Sequence, residues 1–400
     1  MLTSLAFIFL AGLALAAICQ RLHLPRIIGM LVTGILLGPY ALALLDGSIL
    51  AVSADLRQMA LIVILIKAGL SLDLKDLQAV GRPALLLSFL PALFEIGAVT
   101  LFAPRLLGVT RLEAALLGAV LGAVSPAVVV PKMVQLMEEG LGTDKRIPQL
   151  ILAGASLDDV FVIVLFTTFV GMAQGGSASA WDFAGIPLSI FTGIALGAAV
   201  GWGLARFFEA AFARGRLVRG SLKVVVVLGV SFLLVAAEGW LAGAIPLSGL
   251  LAVMAMACVL QRESDPLVGR RLAEKFGKLW LAAEVILFVL VGAAVDIRYT
   301  LGAGPAAVGL LFRSAGVFLC LLGTPLGKKE RLFCAIAYLP KATVQAAIGS
   351  VPLALGLPCG NIVLSVAVLS ILLTAPLGAL GMDASCRALL HRSGPREEAL

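Results

Sequence analysis

Residues 154–160 read Gly154-Ala155-Ser156-Leu157-Asp158-Asp159-Val160, and they lie in the middle of an apolar run covering residues 147–172. Two adjacent carboxylates in such a run decide how the chain must be read. If the run is a membrane helix, each ionised aspartate at its centre costs about 2.5 to 3.5 kcal/mol on insertion scales. Side chains next to each other on a helix point about 100° apart. One aspartate can therefore face a cationic partner while the other faces a cavity. The plainer reading is a pair that merely bonds neighbouring helices.

The rest of the composition says that the run is a membrane helix. Hydrophobic residues make up 61% of the chain and charged residues 13%, against roughly a quarter charged in soluble domains. Such a chain buries its outer surface in lipid. Its 43 glycines suit close helix packing in a bilayer. A helix needs about 20 apolar residues to cross the hydrocarbon core. Stretches that meet or approach this fall at residues 2–19, 27–45, 56–72, 84–102, 114–137, 147–172, 186–208, 222–241, 247–260, 279–295, 306–322, 332–355 and 362–380. The chain reads as an all-α membrane protein with about 13 transmembrane helices and a polar tail. The first stretch lacks a basic leader and a cleavage site, so it reads as a permanent helix.

The net charge of +7 does not point to nucleic acid, because the basic residues sit in short loops between apolar runs. With the N-terminus outside, 22 Lys and Arg fall in inside loops and the tail and 4 in outside loops. That bias predicts an outside N-terminus and a cytoplasmic C-terminus. Cys19, Cys258, Cys320, Cys334, Cys359 and Cys386 are scattered without a CxxC, and His23 and His391 lie near segment ends. They read as ordinary membrane residues, not as disulfides or metal ligands.

An internal repeat runs through the segments. The third ends Lys-Ala-Gly-Leu-Ser-Leu-Asp-Leu at residues 67–74, and the tenth ends Leu-Val-Gly-Ala-Ala-Val-Asp-Ile at residues 290–297. The second and ninth open with Pro25 and Gly29, and with Pro246 and Gly249. The fifth and twelfth carry mid-segment prolines, Pro126 and Pro340. Segments one to six thus pair with eight to thirteen, and segment seven is a linker. The extra crossing inverts the second half. The expected organisation is a first-repeat panel at residues 1–80 and a first-repeat core at 81–178. A linker follows at 179–220, then a second-repeat panel at 221–302, a second-repeat core at 303–382 and a tail at 383–400. Inverted repeats with paired broken helices are the architecture of secondary transporters. A proline in mid-membrane frees backbone groups that neighbours or a wet cavity must satisfy.

Three further charges sit mid-segment: Glu95 in the fourth, Arg313 in the eleventh and Lys341 in the twelfth. The fourth and eleventh segments are repeat mates, so Glu95 and Arg313 are expected to form a buried ion pair. Lys341 follows the helix-breaking Pro340 and is placed to face the aspartates as a fixed cation. Lys67, Glu238 and Glu284 lie nearer segment ends, where snorkelling or local pairing is the default.

These residues also carry a resemblance. Leu24-Pro25-Arg26-Ile27-Ile28-Gly29, with Gly34, Gly38 and Pro39, resembles the opening signature of the cation/proton antiporter superfamily. Asp158-Asp159 matches the two-aspartate motif of its electrogenic-type branch. Pro340-Lys341-Ala342-Thr343-Val344-Gln345-Ala346-Ala347-Ile348-Gly349 is similar to the NHA subfamily of sodium/proton antiporters.

The resemblance implies an NhaA-like inverted repeat with two crossed broken helices. It also implies a homodimer with an elevator-like motion in the cell (inner) membrane, exchanging Na⁺ or Li⁺ for H⁺ without a cofactor and without enzymatic chemistry. It makes Asp159 the main ion carrier and Asp158 its assistant, facing a basic residue. Many relatives carry a lysine on the eleventh segment where this chain has Arg313, and an arginine cannot release its proton at working pH. A protonated Asp159 cannot hold Na⁺, and a Na⁺-loaded one cannot hold a proton. Ser125, Ser156 and carbonyls freed near Pro126 are oxygen ligands suited to such a hard cation. Two other readings use the same features: a K⁺/H⁺ antiporter, and a sodium-coupled organic solute symporter on a similar fold.

Overall fold

The computed structural model describes residues 1–22, 24–71, 81–174, 180–213, 219–241, 247–295 and 303–392. Of the repeat signals read above, residues 72–74 and 296–297 and Pro246 lie outside the described residues, as does His23. The side chains of Pro126 and Ser156 are likewise outside the description.

Helix is the only extended secondary structure among the described residues. The helices are α1 (Leu2–Arg21), α2 (Arg26–Leu37), α3 (Gly47–Ala51), α4 (Ser53–Ser71), α5 (Arg82–Leu87), α6 (Leu90–Leu107), α7 (Arg111–Leu121), α8 (Pro126–Glu138) and α9 (Ile147–Ala173). There follow α10 (Ala180–Ala213), α11 (Gly220–Trp240), α12 (Gly249–Glu263), α13 (Pro266–Ala293), α14 (Ala303–Cys320), α15 (Lys328–Ala337), α16 (Thr343–Gly349), α17 (Val351–Ala354) and α18 (Gly360–Leu389). Among the described residues, six stretches are long and apolar enough to cross a membrane: Leu2–Arg21, Arg82–Leu107, Phe191–Ala211, Gly220–Trp240, Pro266–Ala293 and Gly360–Leu389. Five shorter apolar helices accompany them, among them Arg26–Leu37 and Thr343–Ala354. The expected count of about 13 transmembrane helices is therefore not reproduced among the described residues.

Local chemistry explains the shorter pieces. α6 stops at Gly108, whose φ of 69° is the left-handed conformation that closes a helix end at little cost to glycine. α7 then starts with a reciprocal cap. The Thr110 hydroxyl accepts the Glu113 amide at 3.3 Å, and the Glu113 carboxylate accepts the Thr110 amide at 2.8 Å. The fifth apolar run breaks after Leu121, and Pro126 opens α8 at its first position, where a missing N–H deprives the helix of nothing. The twelfth breaks after Ala337 and resumes at Thr343, with Pro340 inside the gap. Both prolines thus stand at interruptions, not at kinks in continuous helices.

The chain forms two compact units. The first comprises Met1–Ala54, Asp73–Phe169 and Phe288–Leu400. In it α6 lies between α7 and α14, with the Phe102 and Phe312 rings 6.0 Å apart. α2 meets the last turn of α13 so closely that a Cβ on Gly292 would overlap the Leu31 carbonyl. Lipid tails are as apolar as leucine, so helix association here relies on such van der Waals approach. Met133, Ile147, Ile151, Leu321 and Phe333 are fully buried around α8, α9 and α15.

Side-chain and backbone links also tie the ends of this unit. Lys145 pairs with Glu330 at 2.8 Å and Lys132 with Asp383 at 2.5 Å. The Gly142 amide donates to the His391 carbonyl at 2.8 Å, beside an antiparallel bridge between Leu141 and Arg392.

The second unit comprises Asp55–Leu72 and Val170–Leu287. Here α10 packs on α12 through Gly193, Gly197 and Gly201, one every four residues, against Ser248, Ala252 and Met256. A Cβ on Gly197 would overlap the Ala252 carbonyl. Glu238 accepts the Gly249 amide at 2.9 Å at the start of α12, and the Lys67 ammonium lies 6.0 Å from the Trp280 ring centre.

Candidate functional site

The two interruptions meet. The Ser125 amide, at the end of the first, donates to the Pro340 carbonyl of the second at 2.8 Å. Each gap leaves backbone groups without helical partners, and in a membrane interior each of these needs a substitute. The substitutes are the mid-segment charges singled out in the sequence, joined by Gln345 and Thr374. The Leu121 carbonyl accepts from the Lys341 ammonium, the Gly122 carbonyl from Arg313 Nη1 and the Ala123 carbonyl from the Gln345 amide. The Val124 amide donates to Asp158 Oδ2 at 2.8 Å. On the other gap, Arg313 Nε donates to the Tyr338 carbonyl at 2.9 Å. The Lys341 amide donates to Thr374 Oγ1 at 3.0 Å, and the Ala342 amide to Gln345 Oε1 at 2.9 Å.

The charges are arranged around this crossing. Arg313 lies between two carboxylates, with Nη1 3.1 Å from Glu95 Oε2 and Nη2 2.8 Å from Asp158 Oδ2. Its guanidinium also stands 5.6 Å from the Tyr338 ring centre. Lys341 lies on Glu95, 2.7 Å from Oε1 and 2.8 Å from Oε2. Its ammonium is thus committed to Glu95, where the sequence placed it facing the aspartates. Glu95, Asp158, Arg313 and Lys341 are all essentially sealed from solvent, whereas Asp159 keeps 7% of its surface.

Among the described residues, Asp159 has no ion-pair partner and its Oδ1 has no hydrogen-bond partner. Asp158 Oδ1 and Ser125 Oγ are buried and unpartnered in the same sense. When every group is ionised, the cluster holds three carboxylates and two cations. Glu95 and Asp158 answer Lys341 and Arg313, which leaves one negative charge on Asp159. One proton or one monovalent cation brings the cluster to neutrality.

Residues 5–382 match the family described as "Sodium/hydrogen exchanger, transmembrane". This chain belongs to the sodium/hydrogen exchanger family. It is therefore a multi-pass membrane protein of the cation/proton antiporter superfamily, a transporter class and not an enzyme class. The exchanger-family chain is 35% identical over 374 residues to sodium/hydrogen exchanger 9B2 of Homo sapiens, covering 89% of itself and 68% of that protein. It is 34% identical over 405 residues to the 9B2 protein of Mus musculus, covering 94% and 70%. Against exchanger 9B1 of Homo sapiens it is 33% identical over 350 residues, covering 82% and 65%. It thus spans about two thirds of the length of these relatives. In fold it is similar to the sodium proton antiporter MjNhaP1 from Methanocaldococcus jannaschii at pH 8, with a TM-score of 0.83 at 21% identity over 97% of this chain and 99% of that one.

Sequence reasoning overlooked three contributors to the exchanger-family site. Gln345 was quoted only as part of a run, yet its amide serves both gaps. The signal was its position three residues after Ala342, which is the reaching-back half of a capping box. Tyr338 fills the space beside Gly154, where a Cβ would overlap its hydroxyl. Thr374 lies on α18, far along the chain, and nothing local marks it.

Proposed function

We propose that the protein exchanges Na⁺, or Li⁺, for H⁺ across the membrane, with Asp159 as the group that holds either the proton or the cation. The observation that carries this reading is the unequal treatment of the adjacent aspartates. Asp158 is consumed by Arg313 and the Val124 amide, while Asp159 keeps a free oxygen and the cluster's unmatched charge. Proton and cation compete for that one carboxylate, and the loaded cluster is neutral in either case. The empty, ionised cluster carries a net charge and crosses least readily, which couples the two fluxes.

Arg313 keeps its proton and holds Asp158, so any second proton exchanged per cation comes from another group. Ser125 and Ser156 are the proposed side-chain oxygen ligands, with Asp158 contributing its unpartnered Oδ1. The motion is elevator-like, in a homodimer in the cell (inner) membrane with an outside N-terminus and a cytoplasmic C-terminus. The core that moves is residues 81–178 and 303–382, and the panel that stays is residues 1–80 and 221–302.

The test is proton movement in proteoliposomes, read with a pH-sensitive dye on addition of Na⁺, Li⁺ or K⁺. Wild-type protein is expected to respond to Na⁺ and Li⁺. Asp159→Asn keeps the side-chain volume and removes the titrating group, so it is expected to abolish the response at near-wild-type thermal stability. Undiminished exchange by a folded Asp159→Asn protein would remove Asp159 from the mechanism. A response to K⁺ alone would replace the assigned substrate.

A further inference from the structure

In the second unit, α4 and α11 line a groove of about 350 Å³. Its lining follows one face of each helix, with Asp55, Gln58 and Ile62 from α4 and Phe232, Val235 and Gly239 from α11. Steps of three and four residues put such side chains on one side of a helix. Ile62 is buried, whereas Asp55, Gln58, Phe232 and Gly239 are exposed at the rim. A Cβ added to Gly239 would meet nothing within 4 Å, so the space beside it is open. The groove has two unlike ends. Asp55 and Gln58 supply a carboxylate and an amide at one, and Ile62, about 10 Å further along α4, lies towards the other.

Position and charge select an occupant. α11 is long and apolar enough to cross a membrane and is mostly unburied along its length. The groove runs along its last turns, which end at Trp240, 72% exposed. Exposed tryptophan at the end of a spanning helix marks the membrane–water boundary. In the crossing order expected above, the third segment starts and the eighth ends on the same side, so Asp55 and Gly239 share that boundary. The groove therefore opens to lipid, with its polar end at headgroup level. The Asp55 carboxylate has no ion-pair partner among the described residues. Arg57 is about 200° further round α4 and is buried. Glu238, next to Gly239, adds a second carboxylate at this end, where it accepts the Gly249 amide. A phosphatidylglycerol head would bring negative charge to negative charge. A choline head carries positive charge without an N–H. An ethanolamine head carries an ammonium with three donors, which suits a carboxylate beside an amide oxygen. An acyl chain below it suits the apolar walls at Val235 and Phe232.

We propose that this groove binds a phosphatidylethanolamine molecule, with its ammonium on Asp55 and Gln58 and an acyl chain between α4 and α11. The bound lipid fills the open space and stabilises the folded protein.

The experiment is thermal unfolding of the purified chain in detergent, titrated with phosphatidylethanolamine, phosphatidylcholine or phosphatidylglycerol carrying the same acyl chains. With phosphatidylethanolamine, wild-type protein is expected to show a saturable rise in Tm of roughly 2 °C or more. Its half-saturating concentration is expected to lie several-fold below that of phosphatidylcholine. Asp55→Asn keeps the shape and removes the charge, and it is expected to bring the two concentrations together. Gly239→Leu fills the groove from its open side and is expected to lose the rise, with its oligomeric state unchanged by light scattering. Equal potency of phosphatidylethanolamine and phosphatidylcholine on wild type overturns the site. So does phosphatidylglycerol acting best, or an Asp55→Asn protein that keeps the wild-type preference. A wild type that no lipid stabilises, or a Gly239→Leu protein that keeps the full rise, overturns it too. A Gly239→Leu protein that dissociates into smaller oligomers also overturns it, since a second copy is then the occupant. If Gly239→Leu does not fold, Asp55→Asn, at an exposed position, decides.

Discussion

At the scale of single residues, Glu95 governs the stability of the charge cluster, because it answers both Arg313 and Lys341. Glu95→Gln strands the buried charge of Lys341 and leaves Arg313 with Asp158 alone, and it is expected to cost about 3 to 5 kcal/mol. Lys341→Gln added to it removes the stranded charge, so the double variant is expected to lose less than the two single losses together. A double-mutant cycle on thermal unfolding in detergent measures this, and strict additivity would contradict the contact. The composition of the cluster was legible in the sequence, since five charged side chains stand in the middle of apolar runs. Its pairing was not. Spacing along separate segments says nothing about which cation reaches which carboxylate, so the sequence reading turns Lys341 toward the aspartates and offers Arg313 either Glu95 or, through the resemblance, Asp158. The structure shares Arg313 between Glu95 and Asp158 and gives Lys341 to Glu95.

At the scale of elements, the crossing of the two interruptions depends on side chains that replace missing helical hydrogen bonds. Gln345→Leu leaves the Ala123 carbonyl and the Ala342 amide without partners. Each buried orphan costs about 1 to 3 kcal/mol, and the expected result is a lowered Tm with loss of exchange in proteoliposomes. Retention of wild-type Tm would mean that water or a neighbour takes over both groups. α9 meets the second interruption where the Tyr338 hydroxyl fills the space beside Gly154. Gly154→Ala is expected to destabilise by about 1 to 3 kcal/mol through overpacking. Tyr338→Phe removes the colliding oxygen and is expected to recover part of that loss, which makes the pair a suppressor test. The prolines announced both interruptions, but the carbonyls left open at Leu121, Gly122 and Ala123 have no sequence signature of their own.

At the scale of the molecule, the loop after α8 and the start of α15 are joined by Lys145 and Glu330. Burial pushes the Glu330 carboxyl up, but hydrogen bonds from Lys145 and the Gly327 amide, with the Lys145 charge, outweigh it and hold the group below its ordinary value of 4.5. A carboxyl depressed in the folded state contributes stability above its unfolded value and loses it as pH falls through the folded one. The Tm difference between wild type and Glu330→Gln is therefore expected to persist at pH 6 to 7 and to shrink as the pH drops below about 4.5. A difference that grows on acidification would contradict the assignment.

The amino-acid sequence by itself determined that this is an all-helical membrane protein with buried charges and two proline-interrupted segments. It did so because lipid tolerates few structures and makes every mid-membrane charge or proline conspicuous. Only the tertiary structure decided that the interruptions cross through the Ser125 amide and the Pro340 carbonyl. It alone decided that Arg313 is shared between Glu95 and Asp158 and that Lys341 goes to Glu95. Those outcomes depend on which groups approach within about 3 Å across segments far apart in the chain, and hydropathy and spacing along one chain do not carry that distance.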